Sequence, residues 1–252
     1  MSHYRVRLSA LLGMMGLLAA LLSGCSGGHI ISRDQEIQMG REAANQFERE
    51  NGGRDTSPAL VALTNQLAAR IVPVAEPPDY PYDIRVLNNK VVNAVAFPGG
   101  RLYLYRGLIE VFDRDPDQIG WVMAHETAHV ARRHATKIIE RQLGYETVIS
   151  LVLGKGNTQQ IARAVSTLML LGYSRDEESE ADRYGLLYSH AAGFDPTAAL
   201  GVLKKFQELQ GKEPSKFEIM LSTHPGDNSR INAVQAYLDQ QGWSGKYHSA
   251  GG

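Results

Sequence analysis

The run that most restricts this chain is Asp115-Pro116-Asp117-Gln118-Ile119-Gly120-Trp121-Val122-Met123-Ala124-His125-Glu126-Thr127-Ala128-His129. Asp115 suits a helix N-cap and Pro116 the first helical position, so the run is predicted to be a helix carrying an HExxH pattern. At about 100° per residue, His125 and His129 fall roughly 40° apart, so two imidazoles can converge on one ion. With Ile119 at zero, Val122, Met123 and Val130 lie within about 60° of it, and Glu126 falls in that same apolar arc. A carboxylate there is costly unless compensated. Beside a bound cation and a water it becomes a useful general base.

Zinc peptidase sites use three protein ligands and leave the remaining position for water. The single cysteine excludes a site built on two or more thiolates. Metzincin spacing, HExxHxxGxxH, fails: Arg132 stands where that pattern needs glycine and Ala135 where it needs histidine, with His134 one position early. The carboxylates of Arg175-Asp176-Glu177-Glu178-Ser179-Glu180-Ala181-Asp182 remain. Glu178 and Asp182 share a helix face with Ala181, Gly185, Ser189 and Ala192, all within about 60° of Glu178. Small residues on that face permit close helix approach. Glu180 projects about 200° from Glu178 and reads as a solvated charge. The expected site is therefore one zinc ion per chain held by His125, His129 and Glu178. Glu126 is the base, and Asp182 orients a ligating histidine.

Around this site the chain reads as α+β, mainly helical, with a small antiparallel β-sheet preceding the HExxH helix. Helices are predicted from Ser32 to Arg49 and from Pro58 to Ile71, and strands over Tyr82–Leu87, Val91–Phe97 and Arg101–Tyr105. Further helices are expected near 116–135, 137–153, 158–172, 176–192, 196–210 and 228–240. Within this stretch, 148–153 and 168–171 are apolar around Gly154-Lys155-Gly156-Asn157, and they read equally as a lid, a membrane contact or core. Neither run is long enough to span a bilayer. The near balance of 26 basic and 27 acidic residues leaves no cationic excess for nucleic acid.

Residues 1–24 join Arg5 and Arg7 to an apolar run of secretory type, and Leu22-Ser23-Gly24-Cys25 resembles the lipobox of bacterial lipoproteins. That resemblance implies cleavage before Cys25 and acylation of its sulfur. Losing Arg5 and Arg7, with no acidic residue among the first 24, moves the net charge from -1 to -3. Residues 25–32 then form a lipidated tether, 33–243 the catalytic domain and 244–252 a flexible tail. Ser26, rather than aspartate, favours the outer membrane by the same resemblance, facing the periplasm.

HExxH with the later ExxAD resembles the gluzincin peptidases typified by the CAAX prenyl protease and HtpX, in particular their periplasmic lipoprotein members. Asn93-Ala94-Val95-Ala96-Phe97-Pro98-Gly99-Gly100-Arg101-Leu102-Tyr103-Leu104-Tyr105-Arg106-Gly107 is similar to the strand pair preceding the family's active helix. The resemblance covers roughly residues 33 to 240 and implies a zincin-like zinc endopeptidase. The multiple membrane-spanning helices of the prenyl protease and HtpX branches are missing from the pattern. By resemblance Asn93 and Ala94 lie on a strand edge that binds extended substrate. Thr223-His224-Pro225 is similar to the family's late His-Pro segment. There His224 either stabilises the oxyanion, takes zinc's water position in a resting state, or is a turn residue, and Arg230 helps position the segment or substrate. The implied substrates are misfolded or unassembled envelope polypeptides. The alternative is a lipoprotein chaperone or assembly factor that binds unfolded clients with little cleavage.

Overall fold

The computed structural model describes residues 30–77, 79–142, 165, 167, 171–212, 220, 223–224 and 228–243. Cys25 and its lipobox, the tail at 244–252, and the apolar runs at 148–153 and 168–171 (Leu171 apart) lie outside them. Among the described residues no helix is long and apolar enough to cross a membrane. The elements in order are α1 (Arg33–Glu50), α2 (Pro58–Ile71), β1 (Asp83–Leu87), β2 (Ala94–Ala96), β3 (Arg101–Tyr105), α3 (Arg106–Val111), α4 (Pro116–Ala131), α5 (His134–Gln142), α6 (Arg175–Ala191), α7 (Ala198–Lys212) and α8 (Asn228–Gln241). The α+β expectation holds.

The sheet is mixed rather than antiparallel. Its order is β1-β3-β2, with β3 parallel to β1 and antiparallel to β2. The connector 88–93 has to arch over the end of β3, and Tyr105 and Gly107 bind it there by donating backbone hydrogen bonds to Asn93 and Asn89, at 3.0 Å each. A Cβ on Gly107 would lie 2.1 Å from the Lys90 carbonyl oxygen, so only glycine lets the connector cross. This arch is also why Val91–Asn93 leave the predicted strand and β2 keeps three residues.

The central strand β3 is buried on both faces, as its unbroken apolar run requires. Tyr103 and Tyr105 pack with Phe47 and Phe97 toward α1, whereas Leu104 joins the core around α4. Helix α1 starts at a Ser32–Gln35 capping box. It presses on the β2–β3 turn so closely that a Cβ on Gly40 would sit 1.8 Å from the Pro98 carbonyl oxygen.

Helix α4 runs through the middle of the molecule, with every residue from Ile119 to Ala131 buried. Its N-cap is as expected: Asp115 Oδ1 accepts from the amides of Asp117 and Gln118 at 3.0 and 3.1 Å. Its end is not. The helix predicted through 135 stops at Ala131, and Arg133 adopts φ 57° before α5 begins at His134. No glycine or proline marks this break. Arg133 holds the turn by donating to Glu36 Oε2 at 2.8 Å and to the Ile31 carbonyl at 2.6 Å, and tertiary bonds of this kind outweigh a left-handed backbone.

Candidate metal centre

Two helices carry the site. Helix α6 opens with a Ser174–Glu177 capping box, and its small-residue face lies directly on α4. An ideal Cβ on Gly185 would stand 3.2 Å from Cα of His125. This close seam delivers Glu178 to the two histidines one turn apart on α4.

The ring nitrogens Nε2 of His125 and His129 are 3.0 Å apart. Glu178 Oε1 is 3.4 Å from His129 Nε2, and Glu178 Oε2 is 3.6 Å from His125 Nε2. Donors held at about 2.0–2.1 Å in a tetrahedron around zinc stand about 3.3 Å from one another, so these separations fit one zinc ion. His224 completes a buried group of four whose donor atoms all lie within 4.8 Å of one another. Two imidazoles and a carboxylate are also a donor set suited to zinc.

Glu126 is 1% exposed, and its Oε2 has no hydrogen-bond partner. Burial pushes its carboxyl up, against the charges of His224 and His125. Burial also pushes Glu178 up, but the charges of His224 and Arg230 and its bonds to His129 and His224 outweigh it and hold it well below the usual carboxylate range. His129 is driven well below the usual imidazole value, first by burial.

Behind the ligands, Asp182 Oδ1 lies 3.1 Å from His125 Nδ1. Arg230 grips Asp182 through Nε at 2.8 Å and Nη2 at 2.6 Å, and its Nη1 is 2.6 Å from Glu178 Oε2. Arg230 is thus turned toward the site's acids. His224 Nδ1 is 2.9 Å from Glu178 Oε1, and its Nε2 is 3.4 Å from Glu126 Oε1. Asn93 and Ala94 are buried at the β2 end of a cleft also lined by Glu126, Tyr173 and His224. On the other side of His224, Val122, Leu203, Phe206 and Met220 line a second pocket that reaches His125 and Glu126.

Three contributors escape a reading of the sequence. Tyr173 stacks on His129, with ring centroids 3.8 Å apart and planes at 17°. His134 is fully buried against His129. Glu180 is not simply solvated; it bonds His134 and Arg132. The polarity of Tyr173 within an apolar stretch is a weak signal at best. In a continuous helix His134 would point about 140° from His129, so only the break at Arg133 brings it round.

A family profile, Peptidase family M48, matches residues 58–238. The chain is 31% identical over 229 residues to the beta-barrel assembly-enhancing protease of Yersinia pestis, covering 86% of this chain and 46% of that protein. Its counterpart in Escherichia coli (strain K12) is 32% identical over 220 residues, covering 82% and 45%. The mitochondrial metalloendopeptidase OMA1 of Schizosaccharomyces pombe is 27% identical over 214 residues, covering 83% and 63%. The chain therefore spans less than half the length of these two bacterial relatives.

Proposed function

The chain belongs to peptidase family M48, and from that membership we propose that it is a zinc-dependent endopeptidase of the bacterial envelope that removes misfolded or unassembled proteins. The observation that carries this reading is the buried convergence of His125, His129 and Glu178 beside a carboxylate, Glu126, with an unpartnered oxygen. The bacterial relatives' name, beta-barrel assembly-enhancing protease, supports an envelope role.

His125, His129 and Glu178 would hold the zinc, which when bound would supply Lewis acidity toward a water and a scissile carbonyl. The remaining tasks belong to the chain. Glu126 takes the water's proton and passes it to the leaving nitrogen, and burial, which raises its carboxyl's affinity for protons, favours its holding that proton between the two transfers. Asp182 stands behind His125, its Oδ1 3.1 Å from Nδ1, while Nε2 faces the site. Arg230 fixes Asp182 and Glu178 together, which positions the segment carrying His224 against the acids. On the edge of β2, Ala94 offers main-chain groups to an extended substrate beside Asn93, whose carbonyl is held by Tyr105, and the pocket of Val122, Leu203, Phe206 and Met220 takes an apolar side chain. Both suit an unfolded chain.

His224 closes the resting site. Its ring reaches Glu126 on one side and Glu178 on the other, the space a water needs in order to meet its base. Cys25 carries the lipid anchor, with Ser26 directing it to the outer membrane and the periplasmic side. Four residues separate Cys25 from Ile30, a reach of about 18 Å at most. The amides of Ile30 and Ile31 donate to Glu140 Oε1 on α5 at 2.8 and 2.9 Å, which supports a catalytic domain held close to its membrane.

The test is incubation of the purified protein with a permanently unfolded polypeptide. Cleavage that stops with a chelator and returns with zinc is expected. Stable binding of the polypeptide with no cleavage at saturating zinc would instead make the protein a chaperone.

A further inference from the structure

His134 sits at the first position of α5 and is 0% exposed, yet the chemistry above gives it no task. Its Nδ1 is 2.8 Å from Nδ1 of His129. Its Nε2 is 2.9 Å from Oε2 of Glu180, and the other oxygen of Glu180 accepts from Arg132 Nε at 2.8 Å. Two contacts on one small ring fix the direction of both. An ionised carboxylate only accepts hydrogen bonds, so the proton of the second contact lies on His134 Nε2. The Nδ1 of a neutral ring protonated there is an acceptor. It must receive the Nδ1 proton of His129, because two Nδ1–H groups at that distance would oppose each other. His129 is then left with a lone pair on Nε2, the nitrogen that faces His125 and Glu178.

We propose that Glu180 and His134 are positioning residues that set the tautomer and in-plane angle of His129, so that it is ready to bind metal. Tyr173, stacked on the same ring, fixes its plane. On the other ligand, Asp182, gripped by Arg230, lies 3.1 Å from Nδ1 of His125, so a separate charged chain stands behind each histidine. A bland filling role would call for an apolar ring at position 134, since an imidazole among apolar neighbours is costly without partners. Bracing of this type governs metal affinity by about 10–100-fold. The inference rests on the zinc reading of the site.

The experiment measures zinc affinity of the purified full chain by competition with a chromogenic chelator, with thermal unfolding of the metal-free forms alongside. His134→Phe keeps a buried ring but has no acceptor; His134→Asn places an amide oxygen where Nδ1 stood. The expected result is a loss of zinc affinity of about 10–100-fold for the phenylalanine variant. The asparagine variant should recover most of that loss without a matching gain in metal-free unfolding temperature. Should the phenylalanine variant fail to fold, Glu180→Ala carries the test at a partly exposed position, with zinc affinity expected to fall about tenfold and to recover in Glu180→Gln, whose amide oxygen can still accept from His134 Nε2. Wild-type affinity in the phenylalanine or alanine variant, or losses that simply track stability, would overturn the proposal while leaving the site intact. A wild-type chain that binds no zinc would overturn the metal reading itself, and the bracing with it.

Discussion

Replacing Gly185 by alanine tests whether the ligand geometry depends on the contact between α4 and α6. The added Cβ would lie 3.2 Å from Cα and 3.3 Å from N of His125, whereas non-bonded carbons settle at about 3.5–4.0 Å. The obstructing atoms are backbone of the ligand-bearing helix, so no side chain can swing aside. The helices must part by about 0.3–0.8 Å one or two turns from Glu178. Against this, alanine is favoured over glycine inside a helix by about 0.5–1 kcal/mol. Because backbone is the obstacle, the cost falls in the upper part of the usual range for overpacking, about 2–3 kcal/mol, which leaves a net loss of about 1–2 kcal/mol. At about 2–4 °C per kcal/mol for a domain of this size, unfolding of the metal-free protein should fall by about 2–8 °C. Zinc affinity, measured by chelator competition, should fall about tenfold as Glu178 withdraws from His125 and His129. A variant at least as stable as the parent, with unchanged zinc affinity, would refute the idea that this seam sets the site.

Glu178→Ala should abolish stoichiometric zinc binding in metal analysis and destabilise the fold by about 3–5 kcal/mol, because Arg230 and His224 lose their buried partner; zinc retained at one equivalent would contradict the ligand assignment. His224→Ala should cleave an unfolded substrate faster while keeping its metal, since the side chain reaching Glu126 is removed; a drop in kcat of about 10²–10³ would make His224 an oxyanion stabiliser instead. Acid should weaken the fold through Asp55, which burial pushes up but which the bonds from Ser57 and Arg106 hold below its ordinary value. A lowered folded-state carboxyl contributes stability above the ordinary value of about 3.9, and that contribution is lost as pH falls through the folded-state value. Asp55→Asn should therefore be less stable at neutral pH, with a shallower decline below about pH 4 in denaturant titrations; an unchanged slope would contradict the role of this pair.

What could be read from the sequence was governed by local rules. Asp115 and Pro116 fix where α4 begins, and one helical period fixes both the convergence of His125 with His129 and the shared face of Glu178 and Asp182. The small residues of that face explain in advance how α6 can lie against His125. Long-range contacts decide the rest. The parallel pairing of β1 with β3 depends on an arch that crosses at Gly107, and no periodicity in either strand encodes it. The turn at Arg133 depends on Glu36, 97 residues earlier. Because that turn re-aims His134, a histidine one position early for a metzincin pattern lies behind a ligand. Glu180 followed the same logic: its angle away from Glu178 was legible, but the partner waiting there was not.

The most direct test of the central claim compares zinc content and proteolysis in the wild type and in Glu126→Gln, prepared identically. Glu126 works on water rather than on the metal, and its Oε2 has no hydrogen-bond partner to lose. The variant should therefore hold one zinc per chain with wild-type affinity and cleave an unfolded polypeptide at a rate lower by about 10²–10⁴. Wild-type cleavage by the variant, or loss of its zinc, would contradict the assignment of Glu126 as the base of a metallopeptidase.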